Sequence, residues 1–139
     1  MAPITVMLDT NAYTAFKLGH ADALAIIQRA PSLVLSSIVI GELLAGFAVG
    51  SREAQNRTEL QQFLASPRVS IRSIDDHTAQ YYARVYRSLK HKGKPIPTND
   101  MWIAASALQA GCALFSFDGH FQHIDGLVVG ASATDLLLT

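Results

Sequence analysis

Ile4-Thr5-Val6-Met7-Leu8 is stopped abruptly by Asp9-Thr10-Asn11, and the reading of these residues decides the fold. The run is short, apolar and rich in β-branched side chains, and an acid ends it. That pattern predicts a buried strand delivering a carboxylate to the C-terminal edge of a sheet. Open α/β sheets keep their sites at that edge. Thr10 or Asn11 is then suited to cap a helix over Ala12 to Lys17. One strand ending in one acid is a weak signal. Three later acids in comparably apolar surroundings make it informative.

Working outward, His20 to Arg29 has helical spacing and Pro31 ends it. Leu33-Val34-Leu35 reads as a second strand, after which Ser36 or Ser37 caps a helix running through Glu42 to Phe47. Ser51 is placed to cap an amphipathic helix from Arg52 to Ala65. Val69 to Ile74 alternates with period two, the mark of a half-exposed or edge strand. Asp75 or Asp76 then caps a long helix to about Lys92, closed by Gly93. Lys94-Pro95-Ile96-Pro97 must be extended, Thr98 caps a helix over Asn99 to Ala110, and Gly111 closes it. Cys112 to Phe115 is a buried strand left by Ser116-Phe117-Asp118. Two apolar runs remain open, Leu127-Val128-Val129 and Leu136-Leu137-Leu138. Strands alternating with helices predict an α/β fold with a mainly parallel sheet and helices on both faces.

The bulk composition agrees. At 139 residues the chain fits one domain, 1–139, and half of it is hydrophobic against 16% charged. The formal net charge is zero, so any nucleic-acid surface must be local. Cys112 is the single cysteine and cannot form an intrachain disulfide, which suits a reducing compartment. The first apolar run ends at Asp9, unlike a signal sequence, and no run reaches membrane-spanning length. A cytoplasmic protein with no membrane association is expected.

Four acids are the candidate site. Glu42 is the one charge in Ile38-Val39-Ile40-Gly41-Glu42-Leu43-Leu44, with no base within four positions to pair with it. Asp100 opens an apolar helix, where backbone N–H groups favour an ionised carboxylate. Asp118 ends a buried strand as Asp9 does, although Asp-Gly is also an ordinary turn signal. Ser116 points to the same side of that strand by alternation. Such carboxylates, gathered at one sheet edge, would repel one another until a divalent cation bound. Oxygen donors suit Mg²⁺ or Mn²⁺ better than Zn²⁺. The chemistry that follows is metal-assisted attack of water on a phosphodiester.

Four stretches carry a resemblance: Met7-Leu8-Asp9-Thr10-Asn11, Ser37-Ile38-Val39-Ile40-Gly41-Glu42-Leu43, Pro97 through Ala105, and Phe115-Ser116-Phe117-Asp118-Gly119-His120-Phe121. In order and spacing the chain resembles a PIN-domain ribonuclease, most closely the VapC-type toxin of bacterial toxin–antitoxin pairs. The resemblance implies a three-layer α/β/α sandwich and a Mg²⁺- or Mn²⁺-dependent endoribonuclease. It implies Asp9, Glu42, Asp100 and Asp118 as the catalytic and metal-holding acids, with Asn11, Asn99 and Ser116 beside them. The family often carries Thr where Ser116 stands, a change that keeps the hydroxyl. A small antitoxin partner and a homodimer are implied as well.

Other features were weighed against this frame. Arg84, Arg87, Lys90, Lys92 and Lys94 form a basic run with no acid among them, either a solvated helix end or a surface for RNA phosphates. Asp118 to His123 could be a zinc cluster, but no Cys pattern supports it; His120 is instead suited to touch substrate. Cys112, Trp102 and Phe47 read as packing residues. A phosphate-receiver module is disfavoured because Asp9 is not followed by a second acid. A PIN-like scaffold that binds RNA or protein without cutting is the main alternative. Phe16, Leu60, Phe63 and Leu64 predict an apolar groove for an antitoxin helix, which would bring an Arg or Lys to the acids.

Overall fold

The computed structural model describes residues 4–138. Thr5–Leu8 forms β1, and Val6, Met7 and Leu8 are wholly buried. Ser32–Ser36 (β2), Val69–Arg72 (β3), Ala113–Phe115 (β4) and Val129–Gly130 (β5) join it in one sheet of order β3-β2-β1-β4-β5. Every pairing is parallel, with Met7 between Val34 and Leu114. A strand covered on both faces needs no polar alternation, which is why β1, β2 and β4 read as continuous apolar runs. Each wholly buried Leu or Met among them contributes about 1.5–3 kcal/mol.

Parallel neighbours require crossovers. Thr10–Lys17 (α1) and Ala21–Arg29 (α2) lead from β1 to β2. Ser37–Val49 (α3) and Glu53–Leu64 (α4) lead from β2 to β3. Asp76–Lys92 (α5) and Thr98–Ala110 (α6) lead back across to β4. The chain thus moves outward from β1 to β3, then returns past β1. Right-handed crossovers running in opposite directions lay their helices on opposite faces, which makes the expected α/β/α sandwich. The direction reverses between β1 and β4, and a crevice opens beyond the C-terminal ends of such a strand pair.

Local details depart from the sequence reading at three caps. Asp9 itself caps α1: its backbone is extended and its carboxylate accepts from the Thr10 amide, so neither Thr10 nor Asn11 takes that position. Arg52 occupies the cap of α4, its side chain bonding Gln55 and no backbone amide of the helix, which leaves Ser51 outside. Pro97 precedes α6 as its cap, so Thr98 is already helical; proline has no N–H to leave unpaired there. Asp75 does cap α5, in a reciprocal pairing with Thr78, and Gly93 closes that helix at φ 66°. Of the two open runs, Val129–Gly130 becomes the short β5, whereas Leu136 turns into the core without forming a strand. β3 is indeed an edge strand, with Ile71 exposed.

Of the residues expected to line a groove between α1 and α4, Phe16, Phe63 and Leu64 are only half-buried. Leu60 is buried, Phe63 lies 5.6 Å from Phe16 and 5.3 Å from Tyr13, and Lys17 reaches Glu59 at 3.5 Å. Cys112 is buried and unbonded, as expected of a packing residue. Trp102 stacks on Tyr82 with ring centres 4.2 Å apart.

Candidate active site

β1 and β4 deliver the first pieces. Asp9 follows β1, its amide donates to the Phe115 carbonyl at 2.9 Å, and its carboxylate is only 5% exposed as a residue. Ser116, the residue after β4, is equally buried and donates its hydroxyl to Asp9 Oδ2 at 2.7 Å. The same Oγ accepts the Asp118 amide at 3.0 Å. Asp118 caps the 3₁₀ helix Gly119–His123 by accepting the His120 amide. One serine hydroxyl therefore ties both strand-end acids together.

The helices complete the cleft. Glu42 is half-buried on α3 and receives Thr10 Oγ1 at 2.6 Å and Asn99 Nδ2 at 3.2 Å. Asp100 stands in the first turn of α6, half-buried, where the helix dipole favours a negative charge. Asp9, Glu42, Asp100 and Asp118 line one open cleft of about 390 Å³ with Thr10, Asn11 and Thr14. Asn11 accepts the Phe117 amide at 3.1 Å and so pins the loop after β4 to α1. All seven residues read from sequence as acids or polar supports thus fall in or beside this cleft.

Its electrostatics are those of crowded like charges. Burial pushes the Asp9 carboxyl up; the Ser116 and Thr10 bonds oppose that, and repulsion from Asp100 and Glu42 adds to it. Burial also pushes Asp100 up; the bond from His120 opposes that, and repulsion from Asp118 adds to it. Among the described residues, no Lys or Arg is ion-paired to any of the four acids. His120 is the basic side chain beside them, its Nδ1 2.8 Å from Asp100 Oδ2 and 3.1 Å from Asp118 Oδ2. Those contacts, the Asp100 bond first, raise its pKa.

Such a cleft can hold a divalent cation. Its donors are carboxylate oxygens, and burial with mutual repulsion leaves charge that a cation would offset. The tightest donor group is Asp100, Asp118 and His120, whose ligating atoms lie within 4.8 Å of one another. His123, the other half of the zinc reading, is not part of it and instead offers its backbone carbonyl to Lys92. One feature escaped the sequence reading. Thr14 reaches the cleft, and its spacing of four from Thr10 on one helix was the available signal. His120, expected beside the acids, contacts two of them through the 3₁₀ turn while its side chain stays exposed.

The basic run divides. Lys92 is taken up by Asp125 at 2.5 Å. Arg84 lies over Tyr81, Lys90 near Tyr86, and Arg84, Arg87, Lys90 and Lys94 are exposed.

Comparison with known proteins agrees with this fold. The PIN domain model matches residues 6–127. The chain is similar to Ribonuclease VapC1 of Haemophilus influenzae (strain R2866), 31% identical over 87% of this chain and 92% of that one. It is similar to Ribonuclease VapC2 of Rickettsia felis, 29% identical over 88% and 94%. Among solved structures it resembles VapBC2 from Rickettsia felis bound to a DNA fragment from their promoter, with a TM-score of 0.81, 26% identity, and coverage of 91% and 98%.

Proposed function

The chain belongs to the PIN-domain family, and we propose on that premise that it is the ribonuclease toxin of a toxin–antitoxin pair. It acts as one PIN domain in the cytoplasm, hydrolysing RNA phosphodiester bonds in a Mg²⁺- or Mn²⁺-dependent reaction. The observation that carries this reading is the meeting of four carboxylates, from β1, α3, α6 and the turn after β4, in one open cleft. The similarity to VapC ribonucleases supports the choice of RNA as substrate.

Asp9, Glu42, Asp100 and Asp118 would hold the cation, with His120 beside two of them. When bound, that ion supplies a polarised phosphate and an activated water at neutral pH. The chain's own residues set the geometry. Ser116 and the Thr10 amide keep Asp9 ionised in its buried position, and Thr10 with Asn99 fixes both oxygens of Glu42. Asn11 accepts the Phe117 amide and so holds the loop that carries Asp118 against α1. Arg84, Arg87, Lys90 and Lys94 provide phosphate contacts for the rest of the RNA. A small antitoxin, as in the VapBC assemblies similar to it, covers the cleft with an Arg or Lys against the carboxylates, and the toxin is a homodimer.

The test is incubation of purified protein with total cellular RNA, with Mn²⁺ or Mg²⁺ and with EDTA. Cleavage that requires the ion and disappears in Asp100→Asn is expected. RNA that is bound but left intact under every condition would replace this reading with that of a non-cleaving RNA-binding module.

A further inference from the structure

We propose that His120 is a nitrogen ligand of the cation at the cleft, and that it tilts the site from Mg²⁺ towards Mn²⁺. The proposal rests on the reading of the cleft as a metal-dependent nuclease centre. Nδ1 of His120 lies 2.8 Å from Asp100 Oδ2 and 3.1 Å from Asp118 Oδ2. Adjacent donors of an octahedral shell with bonds of about 2.1 Å stand about 3.0 Å apart. The imidazole nitrogen is therefore spaced from both oxygens as a neighbouring ligand is.

Backbone and core hold the ring there. The His120 amide donates to Asp118 Oδ1 at 2.9 Å, and the next residue, Phe121, is wholly buried and anchors the 3₁₀ turn. Asp9 and Glu42 line the same cleft, but their carboxylates fall outside the group whose donor atoms lie within 4.8 Å of one another. The tightest donor group consequently contains one nitrogen and two carboxylates. Mg²⁺ takes oxygen donors, whereas an imidazole nitrogen suits first-row transition ions. Mn²⁺ accepts the oxygens as well, so a mixed set favours it. If the ring were only a counter-charge to Asp100 and Asp118, it would compete with every cation, and its removal would strengthen binding of both ions.

Pulsed electron paramagnetic resonance of Mn²⁺ bound to the intact protein reads the ligand directly. Isothermal titration of Mn²⁺ and Mg²⁺ with the wild type, His120→Ala and His120→Asp reads the preference. The His120 side chain is 47% exposed, so these variants should keep the fold, which circular dichroism checks. A nitrogen coupling of directly bonded imidazole is expected in the wild type and not in His120→Ala. Mn²⁺ affinity should fall about tenfold or more in His120→Ala, with a smaller fall for Mg²⁺. His120→Asp, which swaps nitrogen for oxygen, should retain binding with a reduced preference for Mn²⁺. Mn²⁺ bound through Asp100 without nitrogen coupling, or tighter binding of both ions by His120→Ala, overturns the assignment and leaves the acidic centre standing. Failure of the wild type to bind either ion overturns both.

Discussion

Deleting one hydroxyl beneath the cleft tests how Asp9 is kept charged. Ser116→Ala removes an Oγ that is buried, donates to Asp9 Oδ2 at 2.7 Å and accepts the Asp118 amide at 3.0 Å. A hydrogen bond to a charged group is worth about 1.5–3 kcal/mol, and an amide left unpaired adds about 1 kcal/mol. The expected loss in the metal-free protein at neutral pH is therefore about 2–4 kcal/mol. For a chain of this size that lowers the melting temperature by about 5–12 °C. The larger share depends on charge. Asp9 already titrates above its ordinary 3.8 because of burial, and losing the bond raises it further. A carboxyl raised in the folded state takes up protons on folding, so its burden on stability is full above the folded pKa and gone below the unfolded one. The extra burden in Ser116→Ala must then shrink as pH falls through Asp9's raised pKa, leaving the share due to the Asp118 amide. Ser116→Thr restores the hydroxyl, so the pH-dependent part should vanish whatever the added methyl does. Calorimetric melts without metal, from neutral to mildly acidic pH, make the comparison. A penalty in Ser116→Ala that is the same at both ends of that range would refute the reasoning, as would an equal pH-dependent loss in Ser116→Thr.

Three further outcomes are expected. Asp100→Asn should abolish cleavage and the melting shift produced by Mn²⁺, while leaving the metal-free melting temperature equal or higher, because it removes one charge from a self-repelling group. Lys90→Ala with Lys94→Ala should weaken RNA binding and flatten its dependence on log salt by about 0.7 per lost contact, read by filter binding; an unchanged slope removes the basic run from the interface. Gly130→Ala places a methyl 2.3 Å from Asp135 Cβ and should destabilise by about 1–3 kcal/mol. Adding Asp135→Gly should recover much of that in a denaturant double-mutant cycle.

Much of this was legible in the residues, for reasons that differ by element. β1 and β4 were readable because both faces are covered, so an acid at either end breaks an otherwise unbroken apolar run. Glu42 was readable because α3 is apolar on nearly every side, which leaves a lone carboxylate conspicuous. The cap of α1 was not, since Asp9, Thr10 and Asn11 are all competent caps and the choice falls to the backbone angles at Asp9. The aromatic contact between α1 and α4 was hidden for another reason. Phe16 and Phe63 meet only through tertiary packing, which no local period encodes. The same holds for Lys92 and Asp125, a pair 33 positions apart. β5 spans two residues, too few for any periodicity to appear.

The strand order carries a consequence for timing. β1 lies at the middle of the sheet, and its neighbour β4 follows it by more than 100 positions in the chain. Asp9 therefore leaves the ribosome long before Ser116 and Asp118, the groups that complete its surroundings. At about 5–20 residues per second the interval is roughly 5–20 s. Throughout it the nascent chain carries Asp9 without Ser116 and Asp118, even after Glu42 and Asp100 have been made. The order of the strands thus acts as a built-in delay, with the four-acid cleft complete only once the turn after β4 has emerged.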